Sequence, residues 1–254
     1  METIAEVMQA QGLVYQLVLM IHVLLFVYWL GGDLGVFYSS GFLIRPELSR
    51  ETRLVTAKIM FNLDLVPRIC MSLMLTVGGI LTEAVGIVHP PWQMAGIILL
   101  GPIWLSMVLF LHLREGTEAA KKLTKIDFWF RWALVFGVIA SVAYSWSTGR
   151  LDPAPWVGGK LLIFAAMVFC GIMIRLRLKP FATTFHKIVQ DQVTDADNQA
   201  MIASLGRVRP WVIGIWVGLI WEAYLGTAKP GSPDVEALSS FFPLLEPVAR
   251  LGGF

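Results

Sequence analysis

Charge is scarce in this 254-residue chain. Only 15% of its residues are Asp, Glu, Lys or Arg, against about 25% in a soluble domain. Cysteine is nearly absent: Cys70 and Cys170 both lie inside apolar runs. Neither a CxxC nor a CxxCH occurs, which removes zinc-finger and covalent c-type haem chemistry. No phosphate-binding glycine loop, nucleotide motif or hydrolytic triad is recognisable, and the Lys/Arg clusters are short. A nucleic-acid surface is therefore not expected. The start, "METIAEVMQAQG", has no basic segment, so the first apolar run is expected to be a retained anchor. No long repeat or low-complexity region occurs.

What the chain has instead is hydrophobic mass. Residues of apolar type make up 56% of it, with ten tryptophans and fifteen phenylalanines. A membrane crossing needs about 20 apolar residues. Six candidate spans fall at about 12–42, 56–87, 92–113, 128–148, 157–178 and 205–226. The expected fold is all-α: a polytopic six-helix transmembrane unit over 1–228, followed by a tail over 229–254. The first two spans exceed the bilayer and should tilt or project.

Basic residues sort to alternate loops. Arg45, Arg50, Arg53 and Lys58 follow the first span; Arg114, Lys121, Lys122 and Lys125 follow the third. Arg175, Arg177, Lys179 and Lys187 follow the fifth. The positive-inside rule then predicts loops 43–55, 114–127 and 179–204 on the cytoplasmic side and both termini outside. A multi-pass protein of a bacterial inner membrane is expected. The long loop before span six should hold two helical pieces, with Thr194 and Asp197 forming a capping box and Pro210 bending the entrance to the span. The tail offers Val235, Leu238, Phe241, Phe242 and Leu245 to the membrane interface or to another subunit or redox partner.

Ionisable groups inside spans are costly and mark candidate sites. His112, Asp127 and Arg131 lie near span ends and are expected at the interface. The inner set is His22, Asp33, Asp64, Arg68, Lys160 and Glu222. Counted from the outer ends, Asp33 and Arg68 share a depth, so they are expected to pair. Asp64 shares Arg68's helix face. Lys160 and Glu222, both near the outer ends of their spans, could form a second pair, or Lys160 could meet an anionic ligand.

His22, Trp29 and Asp33 fall within about 20° of one another on a helical wheel. With Tyr15 and Phe26 they form a stripe that should face the bundle. Gly78 and Gly79 stand opposite His22's depth, where glycine lets a helix or a flat ligand approach closely. His22 is then either a neutral histidine bonded to a neighbouring helix or an axial ligand.

"LVLMIHVLLFVYWLGG" resembles the first helix of the HemJ-type protoporphyrinogen oxidases, membrane proteins related to CopD-like copper resistance proteins. His22, Trp29, Gly31 and Gly32 stand in that family's positions. "WVGGKLLIFAAMVFCGI" is similar to a later helix that opens Lys-Leu, here Lys160 and Leu161. The resemblance covers spans one, two, five and six. Where the family has Asn-Glu-x-Pro before its last helix, this chain has Arg207, Val208, Arg209 and Pro210.

The resemblance implies haem b with His22 as the iron ligand, and electron transfer or oxidation of a porphyrin- or quinol-like substrate. Lys160, with Arg150 on the same side, is implied to meet the propionates. No second histidine stands at His22's depth, so five-coordinate iron, a methionine ligand or a ligand from another subunit is expected. The CopD side implies a copper(I) alternative, with Met20, Cys70, Met71 and Met74 as soft donors. A non-catalytic membrane subunit anchoring a larger complex is the third reading.

Overall fold

The computed structural model describes residues 4–232, with side chains from residue 12 onward. The expected tail segment from 233 lies outside them. The described chain is all helical: α1 (Ile4–Leu43), α2 (Arg50–Glu83), α3 (Pro91–Leu113), α4 (Glu118–Ser147), α5 (Pro155–Arg177), α6 (Lys179–Val189) and α7 (Asp195–Ala228). Six of these are long and apolar enough to cross a membrane, all but α6. At 1.5 Å per residue, the 23 residues of α3 or α5 reach about 34 Å, which matches a hydrocarbon core of about 30 Å.

Local chemistry sets the helix starts. Ser49 and Thr117 cap α2 and α4 through their hydroxyls, and Pro91 and Pro155 occupy the first turns of α3 and α5. The capping box at α7 forms as expected: Thr194 Oγ1 accepts from Asp197 N while Asp197 accepts from Thr194 N. The second helical piece is not separate from span six. It is the first third of α7, and Pro210 lies within one continuous helix. The first piece is α6.

Helix α1 packs along α2, and α2 along α3. On the other side, α5 packs along α4 and α7. Small residues permit the close approaches. A Cβ at Gly32 would lie 2.7 Å from Pro67 Cδ, and one at Gly218 would lie 2.8 Å from Met167 Cγ. Gly32 against Pro67, Gly35 against Leu63 and His22 against Gly78 fix one antiparallel register between α1 and α2.

Helices α1 and α2 run to 40 and 34 residues, and at one end they join a second, smaller core. Leu43, Ala57, Met60, Phe181, Ile188 and Met201 close together under α6. Arg53, which the sequence places in a basic loop, is buried there. Its Nε donates to the Leu43 carbonyl at 2.8 Å and its Nη2 to Asn198 Oδ1 at 3.0 Å. One guanidinium thus satisfies an end carbonyl of α1 and ties α2 to α7. This α6 end lies opposite the far end of the bundle, where the α2–α3 and α4–α5 turns stand.

Candidate functional site

The stripe along α1 faces inward from His22 to Asp33, whereas Tyr15, expected at its start, is exposed. Trp29 is buried and meets the Phe164 ring of α5 edge-on at 6.2 Å. Two turns on, Phe37 meets Trp216 of α7 at 5.0 Å. His22 and Asp33 lie on the same face, above and below Trp29. The helix period puts these residues on one face, and the polar His22 and Asp33 favour turning that face to neighbouring helices rather than to lipid.

His22 sits beside α2, where a Cβ on Gly78 would lie 3.2 Å from its Cε1. Glycine at 78 leaves room for the imidazole. Nδ1 of His22 is buried and has no hydrogen-bond partner. Such an orphaned ring nitrogen costs free energy unless something binds it. Lys160 Nζ lies 3.4 Å from Glu222 Oε2 of α7 and 6.0 Å from the centre of the Trp156 ring. Glu222 Oε1 is also buried without a partner. Lys160 and Glu222 therefore pair between α5 and α7 in the far half of the bundle, the half in which His22 packs against α2.

Two of the expected site residues belong elsewhere. Gly79 turns toward α3, where a Cβ would lie 2.6 Å from Ile97 Cγ2, so it serves helix packing and not the His22 pocket. Arg150 donates to the Val88 carbonyl at 2.9 Å and ties two far-end turns together. It does not join Lys160.

The expected Asp33–Arg68 pair does not form. Arg68 bonds Asp64 four residues back on its own helix. The two residues do share a depth with Asp33, but a partner one turn away on the same helix wins over one on a neighbouring helix, because the helix presents it at no further ordering cost. Asp33 keeps Oδ2 buried and unpartnered, with the Trp29 indole N–H as the side-chain donor beside it.

A second cluster was not anticipated. Asp127 and Arg131, expected at the membrane interface, are fully enclosed. Arg131 Nε bonds Asp127 Oδ2 at 3.0 Å, and Arg175 of α5 bonds the same oxygen. The Trp104 ring of α3 lies under the Arg131 guanidinium, 5.2 Å from Cζ, and Met71 Sδ accepts from its Nη1 at 3.6 Å. The signal available in the sequence was the four-residue spacing of Asp127 and Arg131.

Candidate metal donors do not converge. Met20 is exposed on the side of α1 away from His22, and Met71 is engaged by Arg131. Among the described residues no group of three or more His, Cys, Asp or Glu is placed to hold a metal ion. The other histidines lie apart: His89 bonds Glu83 at the α2–α3 turn, His186 contacts Gln190 on α6, and His112 is in the last turn of α3.

No family model matches this chain, and comparison with curated proteins and with solved structures finds no similar one.

Proposed function

We propose that this multi-pass membrane protein binds haem b through His22 and takes part in electron transfer, or in oxidation of a porphyrin- or quinol-like substrate, in a bacterial inner membrane. The α6 end, with the basic loops, would face the cytoplasm. The observation that carries the reading is the buried, partnerless Nδ1 of His22. An imidazole nitrogen is a normal axial donor to haem iron. The resemblance of the first and fifth spans to HemJ-type proteins supports the same assignment.

When bound, haem would supply a one-electron redox centre whose potential depends on axial ligand and surroundings. The protein's own part is then plain. His22 binds, and Gly78 leaves its ring space. Lys160, restrained by Glu222, holds a positive charge for an acidic group of the cofactor or substrate. Trp29, buried edge-on against Phe164, would keep the side of His22 toward the α6 end apolar. A single histidine at this depth fits five-coordinate iron better than a bis-histidine centre.

Absorbance tests this directly. Protein purified in detergent after expression with ample haem should show a Soret band. His22→Ala should remove the band while the protein still inserts, and Lys160→Ala should weaken or shift it. His112→Ala should leave it unchanged. A colourless wild-type protein would overturn the reading.

A further inference from the structure

A shallow groove of about 460 Å³ opens on the outer face of α4, at the α6 end of the bundle. Lys125, Ile126, Trp129, Phe130 and Ala133 line it, and apart from Lys125 its walls are apolar. The groove exists because α4 is packed mainly on one side. Leu134, Val135, Val138 and Val142 turn into the core, where α4 lies along α5, while contact with α3 is sparse. Phe130 reaches the Trp104 ring of α3 at 5.3 Å and forms one edge of the groove. Past that edge Trp129 is 70% exposed. In a bilayer, hydrocarbon must fill such a surface.

The charges above the groove select which lipid fills it. At 100° per residue, Lys122, Lys125, Trp129, Ala133, Phe136 and Ala140 fall within about 80° of one another. Along this strip two ammonium groups come first, then an indole, then apolar side chains alone. From Lys125 to Ala133 the helix rises about 12 Å. A phospholipid has the same order: charged headgroup, then the interfacial level where tryptophan settles, then acyl chain. The lysines on this strip are also unclaimed. Lys121 bonds Glu118 at 2.6 Å, whereas Lys122 and Lys125 pair with no carboxylate among the described residues.

We propose that this groove binds one anionic phospholipid from the leaflet at the α6 end. Lys122 and Lys125 hold its phosphodiester, the Trp129 indole stands at the interfacial level, and an acyl chain lies over Ile126, Phe130 and Ala133. Basic residues at the membrane face are suited to acidic headgroups. A neutral lipid would fill the apolar part but bring no net negative charge to the two ammonium groups. A second copy of the chain, related by a two-fold axis along the membrane normal, would set Lys122 and Lys125 against their own copies at the same depth. The site does not involve His22, so a colourless protein would leave it standing.

Native mass spectrometry of the full chain in detergent tests this, with equal amounts of dioleoyl phosphatidylglycerol and dioleoyl phosphatidylcholine offered. Wild type should retain one phosphatidylglycerol in preference. Lys122→Gln with Lys125→Gln should weaken that retention about 25-fold, about fivefold for each lysine beside an anionic headgroup. Lys58→Gln with Lys179→Gln removes the same charge from exposed positions outside the groove at the same end. That control should change retention less than about twofold, because exposed charges at a distance are screened. Ala133→Trp keeps both lysines and fills the groove from an exposed position, so it too should weaken retention. Equal retention of the two lipids by wild type, or equal losses in the two double variants, overturns the proposal. So does unchanged retention in Ala133→Trp. Displacement of the lipid by inorganic phosphate would leave a bare anion site and overturn the seat for the chain. A wild-type dimer that Ala133→Trp disperses would give the groove to a second copy instead.

Discussion

The two halves of the bundle use polar residues in opposite ways. In the far half, three ionisable side chains stand in a mostly apolar wall. One pair forms between Lys160 and Glu222, and the His22 Nδ1 stays free. In the α6 half, six ionisable side chains gather within a few turns, and two arginines crowd onto one carboxylate oxygen of Asp127. A sparse site leaves a donor atom to be claimed by a ligand. A dense one spends its charges on each other. The same face of α1 serves both, with Trp29 as the partition.

The sharpest way to break this contrast is to remove a carboxylate from each kind of pair. Asp127→Asn should cost about 3–5 kcal/mol, because Arg131 is left buried without a counter-charge. Asp64→Asn should cost no more than about 1 kcal/mol, because Arg68 is half open and its charge can be hydrated. Reversible unfolding in mixed micelles would measure both. Equal losses would mean that Arg68 depends on its counter-charge as much as Arg131 does.

A smaller effect is expected where α1 meets α2. Gly32→Val drives a side chain into the rigid Pro67 ring and should cost about 1–3 kcal/mol. Gly31→Val is the control, since nothing lies within 4 Å of a Cβ there. It should unfold with wild type in the same assay. If Gly31→Val is the more harmful of the two, the register of α1 on α2 is wrong.

The smallest effect concerns the far half. Lys160→Met and Glu222→Gln, with the double variant, should give a coupling of about 1 kcal/mol in a double-mutant cycle. The pair is partly screened at 19% and 14% side-chain exposure. Additive losses would remove Glu222 as the group that restrains Lys160.

Much of this was legible in the order of residues. Runs of apolar residues marked the six spans to within a few residues at most ends, because a crossing helix must satisfy its backbone internally and cover itself with apolar side chains. The exceptions were the ends where the helix continues past the bilayer. There α1 begins at Ile4, α2 at Arg50, α4 at Glu118 and α7 at Asp195, and the early turns of α2 and α7, which looked like loop, help build a second core. The common face of His22, Trp29 and Asp33 followed from the helix period alone. So did the shared depth of Asp33 and Arg68, though not their failure to pair.

What the sequence by itself determined is whatever a single helix dictates: span existence, capping at Thr194, and the common face of His22, Trp29 and Asp33. These rest on interactions within a few residues, whose geometry the 3.6-residue turn sets. Only the tertiary structure decided which helices meet. It turned Gly79 toward Ile97, gave Arg150 to the Val88 carbonyl, and buried Asp127 and Arg131 against Arg175 from another helix. Those outcomes depend on the rotation and neighbours of whole helices. In lipid, where apolar faces are nearly interchangeable, close packing at glycines and the few buried polar contacts choose between arrangements that hydropathy cannot tell apart.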